Sequence, residues 1–225
     1  MRKWDKLPPE MRIPEVRVYY DILKKRKFSL LMKRLFDIVV SLTLLILLSP
    51  VFAILAIAIK LDSKGPVFYR QTRVTRYGKE FRIFKFRSMV TDADKGSLLT
   101  VGGDSRVTKT GRFIRKYKLD EFSQLIDVLR GTMTFVGTRP EVPKYVEKYT
   151  PEMLATLLLP AGITSEASIY YKDENELLDA ADDVEKTYLE VVLPDKMKYN
   201  LAAIRSFSFI DDIKVMILTV LAVFK

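Results

Sequence analysis

An adjacent pair of carboxylates, Asp120 and Glu121, is the strongest candidate for chemistry in this sequence. The chain of 225 residues has no histidine and no cysteine, so an imidazole base and a thiolate nucleophile are both excluded. Carboxylates remain available as nucleophiles, and they also bind Mg²⁺ together with substrate phosphates. We therefore take Asp120 and Glu121 as candidate catalytic residues and candidate metal ligands.

The pair lies where a helix is expected to begin, because the stretch DEFSQLIDVLRG has helical apolar spacing and ends at Gly131. A helix N-terminus favours the anionic form of Asp120 and offers free amides to a phosphate. However, an acidic residue at this position is also ordinary helix capping. The spacing alone leaves both interpretations open.

Basic residues crowd around this pair in the sequence. The net charge is +10, and the basic excess lies in residues 1–37 and 60–118. A basic block beside an apolar segment favours phosphates, nucleic acid or anionic lipid headgroups as partners, although a solvated basic face has the same composition. The basic residues nearest the pair are Arg106, Lys109, Arg112, Arg115, Lys116, Lys118 and Arg139.

A β-hairpin is predicted upstream of the pair. Residues 67–72 and 81–87 are rich in aromatic side chains, and Tyr77-Gly78 is typical of the turn between two strands. Side chains alternate between the faces of a strand, so Lys85 and Arg87 are expected on one face. This face of the predicted hairpin is therefore basic.

An uncharged run at residues 38–59 is long enough, at about 33 Å, to span a bilayer as a straight helix. Pro50 interrupts it, because proline lacks an amide hydrogen and clashes with the carbonyl of Ile46. The Ser49 hydroxyl is within reach of that carbonyl. The two arms, about 18 Å and about 13 Å, are each too short to cross. We predict a re-entrant helix-break-helix, with a kinked spanning helix as the alternative.

Basic residues flank this run on both sides, which favours a cytoplasmic location for both ends. They are Lys24, Lys25, Arg26, Lys27, Lys33 and Arg34 before the run, and Lys60, Lys64, Arg70, Arg73 and Arg76 after it.

The remaining segments predict helices. These cover residues 105–119, 150–159 and 177–192, and a last apolar stretch at 215–224 is too short to span. Residues 1–32 are interpreted as a basic N-terminal extension with a short amphipathic piece at the membrane surface. The predicted fold is mostly α with a small antiparallel β-hairpin. Residues 33–225 would form one domain, with a membrane helix at 35–60 and a cytoplasmic catalytic part at 61–225.

A series of motifs resembles the bacterial sugar transferases, the monotopic phosphoglycosyl transferases that begin lipid-linked glycan assembly. The resemblance covers residues 33–225. In order, the motifs are KRLFDIVVSLTLLILLSP, GPVFYRQTRV, FKFRSM, DSRVTKTGRFIRKYKLDE, LIDVLRGTMTFVGTRP, PAGIT and FIDDIKVMILTVLAVF.

The resemblance implies that a sugar 1-phosphate passes from a UDP-sugar to undecaprenyl phosphate, with Mg²⁺, on the cytoplasmic face of the bacterial inner membrane. Membrane lipid would be a partner and nucleic acid would not. By motif, Ser49-Pro50 would break the re-entrant helix, and Asp120 would form a covalent phosphosugar beside Glu121. The basic residues expected at the substrate phosphates are Lys85, Arg87, Arg106, Arg115 and Arg139.

Four stretches of the sequence depart from the family pattern. Phe122-Ser123 replaces Leu-Pro, GTMT replaces GDMS, GTRP replaces GPRP, and AGITSEASIYYKDE replaces PGITGWAQVNGR. The last two changes touch the expected pocket, so the resemblance does not identify the sugar. Two other functions stay open: direct transfer in a ternary complex with Asp120 only holding the metal, and a non-catalytic membrane anchor for glycan enzymes.

Overall fold

Helices make up most of the fold in a computed structural model that describes residues 1–91, 106–172 and 174–223. The helices are α1 (Pro14–Lys25), α2 (Lys27–Leu47), α3 (Ser49–Asp62), α4 (Lys109–Lys116), α5 (Leu125–Arg130), α6 (Pro143–Val146), α7 (Glu166–Tyr170), α8 (Glu174–Asp179), α9 (Val184–Thr187), α10 (Leu193–Arg205) and α11 (Phe209–Val223). The strands are β1 (Phe68–Thr75), β2 (Lys79–Phe86), β3 (Met133–Val136) and β4 (Ala161–Thr164). Single turns of 3-10 helix cover Trp4–Lys6, Pro9–Met11, Arg76–Gly78, Leu119–Gln124 and Met153–Leu158, and a π-helical turn covers Tyr188–Val192.

Strands β1 and β2 form the predicted antiparallel hairpin, with Phe68 opposite Phe86 and Thr75 opposite Lys79. Its turn needs left-handed backbone at Tyr77 (φ 64°) and Gly78 (φ 68°), which glycine adopts without strain. The hairpin prediction is therefore confirmed.

A parallel pair, β3 and β4, was not predicted. Each strand has four residues, too few to show a periodic pattern, and the partners are far apart in the sequence. The two segments approach each other most closely where Gly137, the residue after β3, faces Gly162 of β4. A Cβ atom at Gly162 would lie 2.2 Å from the backbone of Gly137, so this contact requires glycine.

The apolar run folds as two helices, α2 and α3, bent by 61° at the break. Leu48 separates them, and the Ser49 hydroxyl donates a hydrogen bond of 2.8 Å to the Ile46 carbonyl. This is the carbonyl that Pro50 leaves without an amide partner. The predicted position of the break and the predicted role of Ser49 are confirmed.

Helix α2 reverses the usual amphipathic pattern, because its fully buried residues are Lys33, Asp37 and Ser41. Lys33 Nζ donates to the Val136 carbonyl at 2.7 Å and to Asp212 at 2.6 Å. The Asp37 carboxylate accepts the Thr134 hydroxyl at 2.8 Å. Polar contacts thus fasten α2 to β3 and α11.

Large apolar side chains cover the outer faces of these helices. The exposed ones include Leu35, Ile38, Val39, Leu42, Ile46, Leu47, Ile54 and Ile57 on α2 and α3, and Ile210, Ile217, Leu218, Val220 and Leu221 on α11. No single helix among the described residues is long and apolar enough to cross a membrane, whereas α2 and α3 together have the required length and composition. An apolar surface of this extent is typical of contact with lipid or protein.

Residues 1–32 pack against the rest of the chain. Val16, Tyr19 and Leu23 of α1 are buried in one core with Leu158 and Ile204. The predicted boundary at residue 32 falls within α2, which begins at Lys27 and runs through it.

The helical prediction over residues 177–192 was wrong in its continuity and its end. The helix breaks after α8, and Asp183 caps α9 by accepting the Lys186 amide at 2.9 Å. Helix α9 then continues through the π-helical turn into α10. The widened turn accommodates Pro194, which has no amide hydrogen to donate. Residues 150–159 form only the 3-10 turn Met153–Leu158.

Candidate active site

Asp120 and Glu121 lie in the 3-10 turn Leu119–Gln124, here called the dyad turn, which runs directly into α5. Lys118 enters the turn with left-handed backbone (φ 52°), and Ser123 donates its hydroxyl to the Asp120 carbonyl at 3.1 Å. The predicted helix start and the stop at Gly131 (φ 81°) match, although the first turn is 3-10 rather than α.

Strand β2 brings Lys85 to the dyad turn. The Phe84 amide donates 2.8 Å to the Asp127 carboxylate of α5, which ties the outer edge of the strand to the helix that follows the dyad. Ile83 packs with Val128 in the core below. Lys85 Nζ then lies 3.7 Å from Glu121 Oε1.

Arg139 reaches the dyad turn from the loop after β3. Its two terminal nitrogens both donate to Glu121, one of them over 3.3 Å to Oε2. The loop is held to β1, because Arg73 donates to the Pro140 carbonyl at 3.0 Å and the Val74 amide donates to the Glu141 carbonyl at 2.9 Å.

The two carboxylates differ in their electrostatic surroundings. Burial raises the pKa of Asp120, Lys85 opposes that rise, and the negative charge of Glu121 adds to it. Burial acts on Glu121 in the same direction, but the charges of Arg139 and Lys85 and the hydrogen bonds from Arg139 lower its pKa to about 2. Glu121 is therefore a fixed anion between two cations. Asp120 accepts no hydrogen bond from another side chain in the described part of the chain and is the carboxylate available to a substrate.

Arg87, one of the predicted phosphate-binding residues, is placed away from the dyad. Arg87 is buried and donates to the Ile59, Ser63 and Lys64 carbonyls, so it caps the end of α3 rather than sharing a face with Lys85. Arg115, on α4, makes no ion pair within the described ranges. The backbone of Arg106 is held beside Val90, because the Arg106 carbonyl accepts the Val90 amide at 3.0 Å. The structure thus groups Lys85 and Arg139 with the dyad.

These contacts bear on which carboxylate of the predicted metal pair, Asp120 or Glu121, is available to Mg²⁺. Among the described residues, no three carboxylate, histidine or cysteine side chains converge as a metal site. Mg²⁺ is commonly held by one or two carboxylates together with substrate phosphates, and a single carboxylate is enough for that arrangement. Glu121 forms ion pairs with Arg139 and Lys85, whereas the Asp120 carboxylate forms no ion pair in the described part of the chain. The residues therefore fit an ion held by Asp120 and a bound diphosphate.

A model of the family described as bacterial sugar transferase matches residues 28–225. This chain belongs to the bacterial sugar transferase family. The sugar transferase EpsL of Bacillus subtilis (strain 168), itself uncharacterized, is 34% identical over 192 residues, which are 85% of this chain and 86% of EpsL.

Two longer relatives of this bacterial sugar transferase have names that state a reaction. One is UDP-glucose:undecaprenyl-phosphate glucose-1-phosphate transferase of Escherichia coli (strain K12), 39% identical over 84% of this chain and 39% of its own length. The other is UDP-N-acetylgalactosamine-undecaprenyl-phosphate N-acetylgalactosaminephosphotransferase of Aeromonas hydrophila, 40% identical over 54% of this chain and 29% of its own length. The chain therefore spans well under half of either relative, and the two names differ in the sugar.

Sequence reasoning missed the residues that hold the Arg139 loop in this bacterial sugar transferase. The Tyr188 hydroxyl donates 2.6 Å to the buried Glu141 carboxylate, which joins the loop to the π-helical turn. Arg73 supports the same loop from β1. Glu141 directly follows the RP motif, but nothing in its spacing points to a tyrosine 47 residues away.

Proposed function

We propose that this chain is a phosphoglycosyl transferase that moves a sugar 1-phosphate from a UDP-sugar to undecaprenyl phosphate. The observation that carries the proposal is the unequal dyad, in which Glu121 is neutralised by two cations while Asp120 stays available, within a chain of the bacterial sugar transferase family. The names of the longer relatives support the donor and the acceptor.

In the proposed first step, an Asp120 oxygen attacks the β-phosphorus of the UDP-sugar. The bond to the bridging diphosphate oxygen breaks, its electron pair leaves with UMP, and the sugar phosphate remains on Asp120 as an acyl phosphate. In the second step, a phosphate oxygen of undecaprenyl phosphate attacks the same phosphorus and releases the Asp120 carboxylate. The raised pKa of Asp120 makes its ionised form a better nucleophile than an ordinary aspartate.

Lys85 and Arg139 would bind the diphosphate during this transfer. Two nitrogens of Arg139 donate to Glu121, and the guanidinium has further N–H groups for a phosphate. Glu121 orients both cations. Mg²⁺, held by Asp120 and the diphosphate, would supply additional neutralisation of phosphate charge. Arg115 stays a proposed donor to the substrate, since its guanidinium makes no ion pair with any described residue.

A UMP-release assay with purified protein, Mg²⁺, undecaprenyl phosphate and a panel of UDP-sugars tests the activity. We expect UMP release with at least one UDP-sugar and a lipid-linked sugar diphosphate as product. Absence of UMP with every UDP-sugar, from protein that is folded, would contradict the proposal and favour a non-catalytic anchor.

The pH dependence of kcat/KM should show how the charge of Lys85 affects the pKa of Asp120. The pKa of Asp120 is raised above 3.8, so kcat/KM should fall with decreasing pH at a higher value than for an exposed aspartate. Lys85→Gln removes a charge that lowers this pKa, so the acid limb should move to higher pH. Arg115→Gln is the control, because Arg115 makes no ion pair with either carboxylate and its loss should lower the rate without moving the limb. An unmoved limb in Lys85→Gln would remove Lys85 from the site.

We further propose that α2 and α3 enter one leaflet of the bacterial cytoplasmic membrane and return, with the dyad on the cytoplasmic side. The 61° bend, the satisfied Ile46 carbonyl and the exposed apolar faces support this arrangement. The chain lacks cysteine, so Lys27→Cys and Lys64→Cys each introduce a single thiol outside the apolar run. In intact cells an impermeant thiol reagent should label neither variant, and both should react after permeabilisation. Labelling of only one of the two in intact cells would show a crossing.

A further inference from the structure

A cavity of about 1000 Å³ lies between the N-terminal segment, α1, the start of α2 and the end of α5. None of Lys85, Asp120, Glu121 and Arg139 lines it, so it is separate from the candidate active site. Its floor is formed by buried side chains, among them Tyr20, Met133 and Leu158.

The wall of this cavity carries an excess of positive charge. Three basic lining residues are already engaged: Arg17 pairs with Asp21, Lys33 with Asp212, and Arg34 with the carbonyls at the end of α5. Six others form no ion pair in the described part of the chain: Arg2, Lys3, Lys24, Lys27, Arg76 and Arg130.

The acidic residues of the wall do not balance this charge. Asp37 is occupied by the Thr134 hydroxyl at 2.8 Å and the Phe135 amide at 3.2 Å. Asp5 is exposed and pairs with none of the six. The cavity therefore holds cations that lack an anion.

Two of these cations contact the same aromatic ring. The guanidinium carbon of Arg2 lies 4.7 Å from the centre of the Tyr77 ring and that of Arg76 lies 5.0 Å from it. The ring offers each guanidinium a favourable contact but leaves their positive charge without an anion. A phosphate group, which arginine binds through paired N–H donors, would compensate it.

The mouth of the cavity is apolar on one side. Leu30 and Leu31 line it, and Leu31 is 64% exposed on the apolar face of α2. A single inorganic ion would leave most of the volume unfilled, whereas a lipid headgroup with the first part of its chains has a suitable size. Basic pockets beside membrane helices bind phosphate headgroups of anionic lipids.

We propose that this cavity binds the phosphate headgroup of an anionic phospholipid, with the acyl chains lying along α2 from Leu31 onward. The lipid would neutralise the cations around Tyr77 and join the N-terminal segment to the membrane surface. The inference goes beyond the transfer reaction and does not depend on it, because no residue proposed for catalysis lines the cavity.

Native mass spectrometry of the full chain in a maltoside detergent tests this site. We expect one dioleoyl phosphatidylglycerol to be retained in preference to dioleoyl phosphatidylcholine, which has the same chains. Lys27→Gln/Arg76→Gln should weaken phosphatidylglycerol binding about 10–30-fold, since each lost cation contributes about a tenfold factor or less. Lys25→Gln/Lys79→Gln is the matched control, because it removes two exposed charges that do not line the cavity, and it should bind like the parent.

Three results would overturn the proposal: equal affinity of the two double variants, equal retention of the two lipids, or displacement of phosphatidylglycerol by millimolar glycerol 3-phosphate. The last would assign the cavity to a soluble phosphate ester. Thermal melting of each variant in detergent checks folding. If Lys27→Gln/Arg76→Gln does not fold, Lys24→Gln/Arg130→Gln, at two exposed lining positions, replaces it with the same expected loss.

Discussion

Asp120→Asn is expected to abolish sugar-phosphate transfer, with a loss in kcat on the order of 10⁴-fold or more. An amide is a poor nucleophile and a poor ligand for Mg²⁺, so both proposed roles of Asp120 disappear while its volume is retained. The Asp120 carboxylate contacts the amide of its own residue, and the other contacts of the dyad turn do not use it, so folding should be preserved. UMP release with undecaprenyl phosphate present measures the rate.

Asp182→Asn is the matched control, because Asp182 is exposed and is not among the charges that act on either dyad carboxylate, and it should turn over like the parent. An Asp120→Asn protein that melts at the parent temperature and keeps turnover within about tenfold would remove Asp120 from catalysis.

Arg139→Met should lower kcat/KM about 10–150-fold, the usual effect of losing a charge-assisted hydrogen bond of about 1.5–3 kcal/mol. The structure offers two reasons for such a loss, because Arg139 pairs with Glu121 and also has donors left for a substrate phosphate. If phosphate binding dominates, Arg139→Met should cost nearly as much in a Glu121→Gln background as in the parent.

A double-mutant cycle separates these two reasons. It compares the parent, Glu121→Gln, Arg139→Met and the double variant by kcat/KM. If the cost of Arg139→Met vanishes once Glu121 is an amide, then Arg139 acts only by neutralising Glu121 and does not contact substrate. Arg82→Met is a control, because Arg82 is exposed on the same hairpin as Lys85 and, among the residues that the structure describes, its side chain donates only to the Arg70 carbonyl.

Local patterns explain how much of the fold was predictable. The hairpin, the break at Ser49-Pro50 and the stop at Gly131 follow from short-range rules for turns, proline and glycine. The pair β3 and β4 could not be predicted this way, because four-residue strands carry no periodic signal and their pairing is non-local. For a similar reason the continuation of α10 past Pro194 was missed, since a proline ordinarily ends a helix and a π-helical turn is needed to accommodate it.

The candidate site was predictable in its residue types and only partly in its arrangement. The absence of histidine and cysteine makes Asp120 and Glu121 the candidates for chemistry, but residue type and spacing do not show how their electrostatic surroundings differ. Their difference arises from tertiary contacts, since Arg139 and Lys85 both approach Glu121. Arg87 was misplaced because strand alternation was extended one residue beyond the end of β2 at Phe86, where the chain turns its side chain toward the end of α3.

Intact-mass measurement of the enzyme after incubation with Mg²⁺ and an accepted UDP-sugar, without lipid acceptor, tests the covalent role of Asp120 most directly. We expect release of about one UMP per active site, a mass increase equal to one sugar phosphate at Asp120, and loss of this adduct on treatment with hydroxylamine, as expected for an acyl phosphate. Glu121→Gln should still form the adduct, and Asp120→Asn should not. An unmodified enzyme that releases no UMP until undecaprenyl phosphate is added, and then turns over normally, would contradict the covalent mechanism and favour direct transfer in a ternary complex.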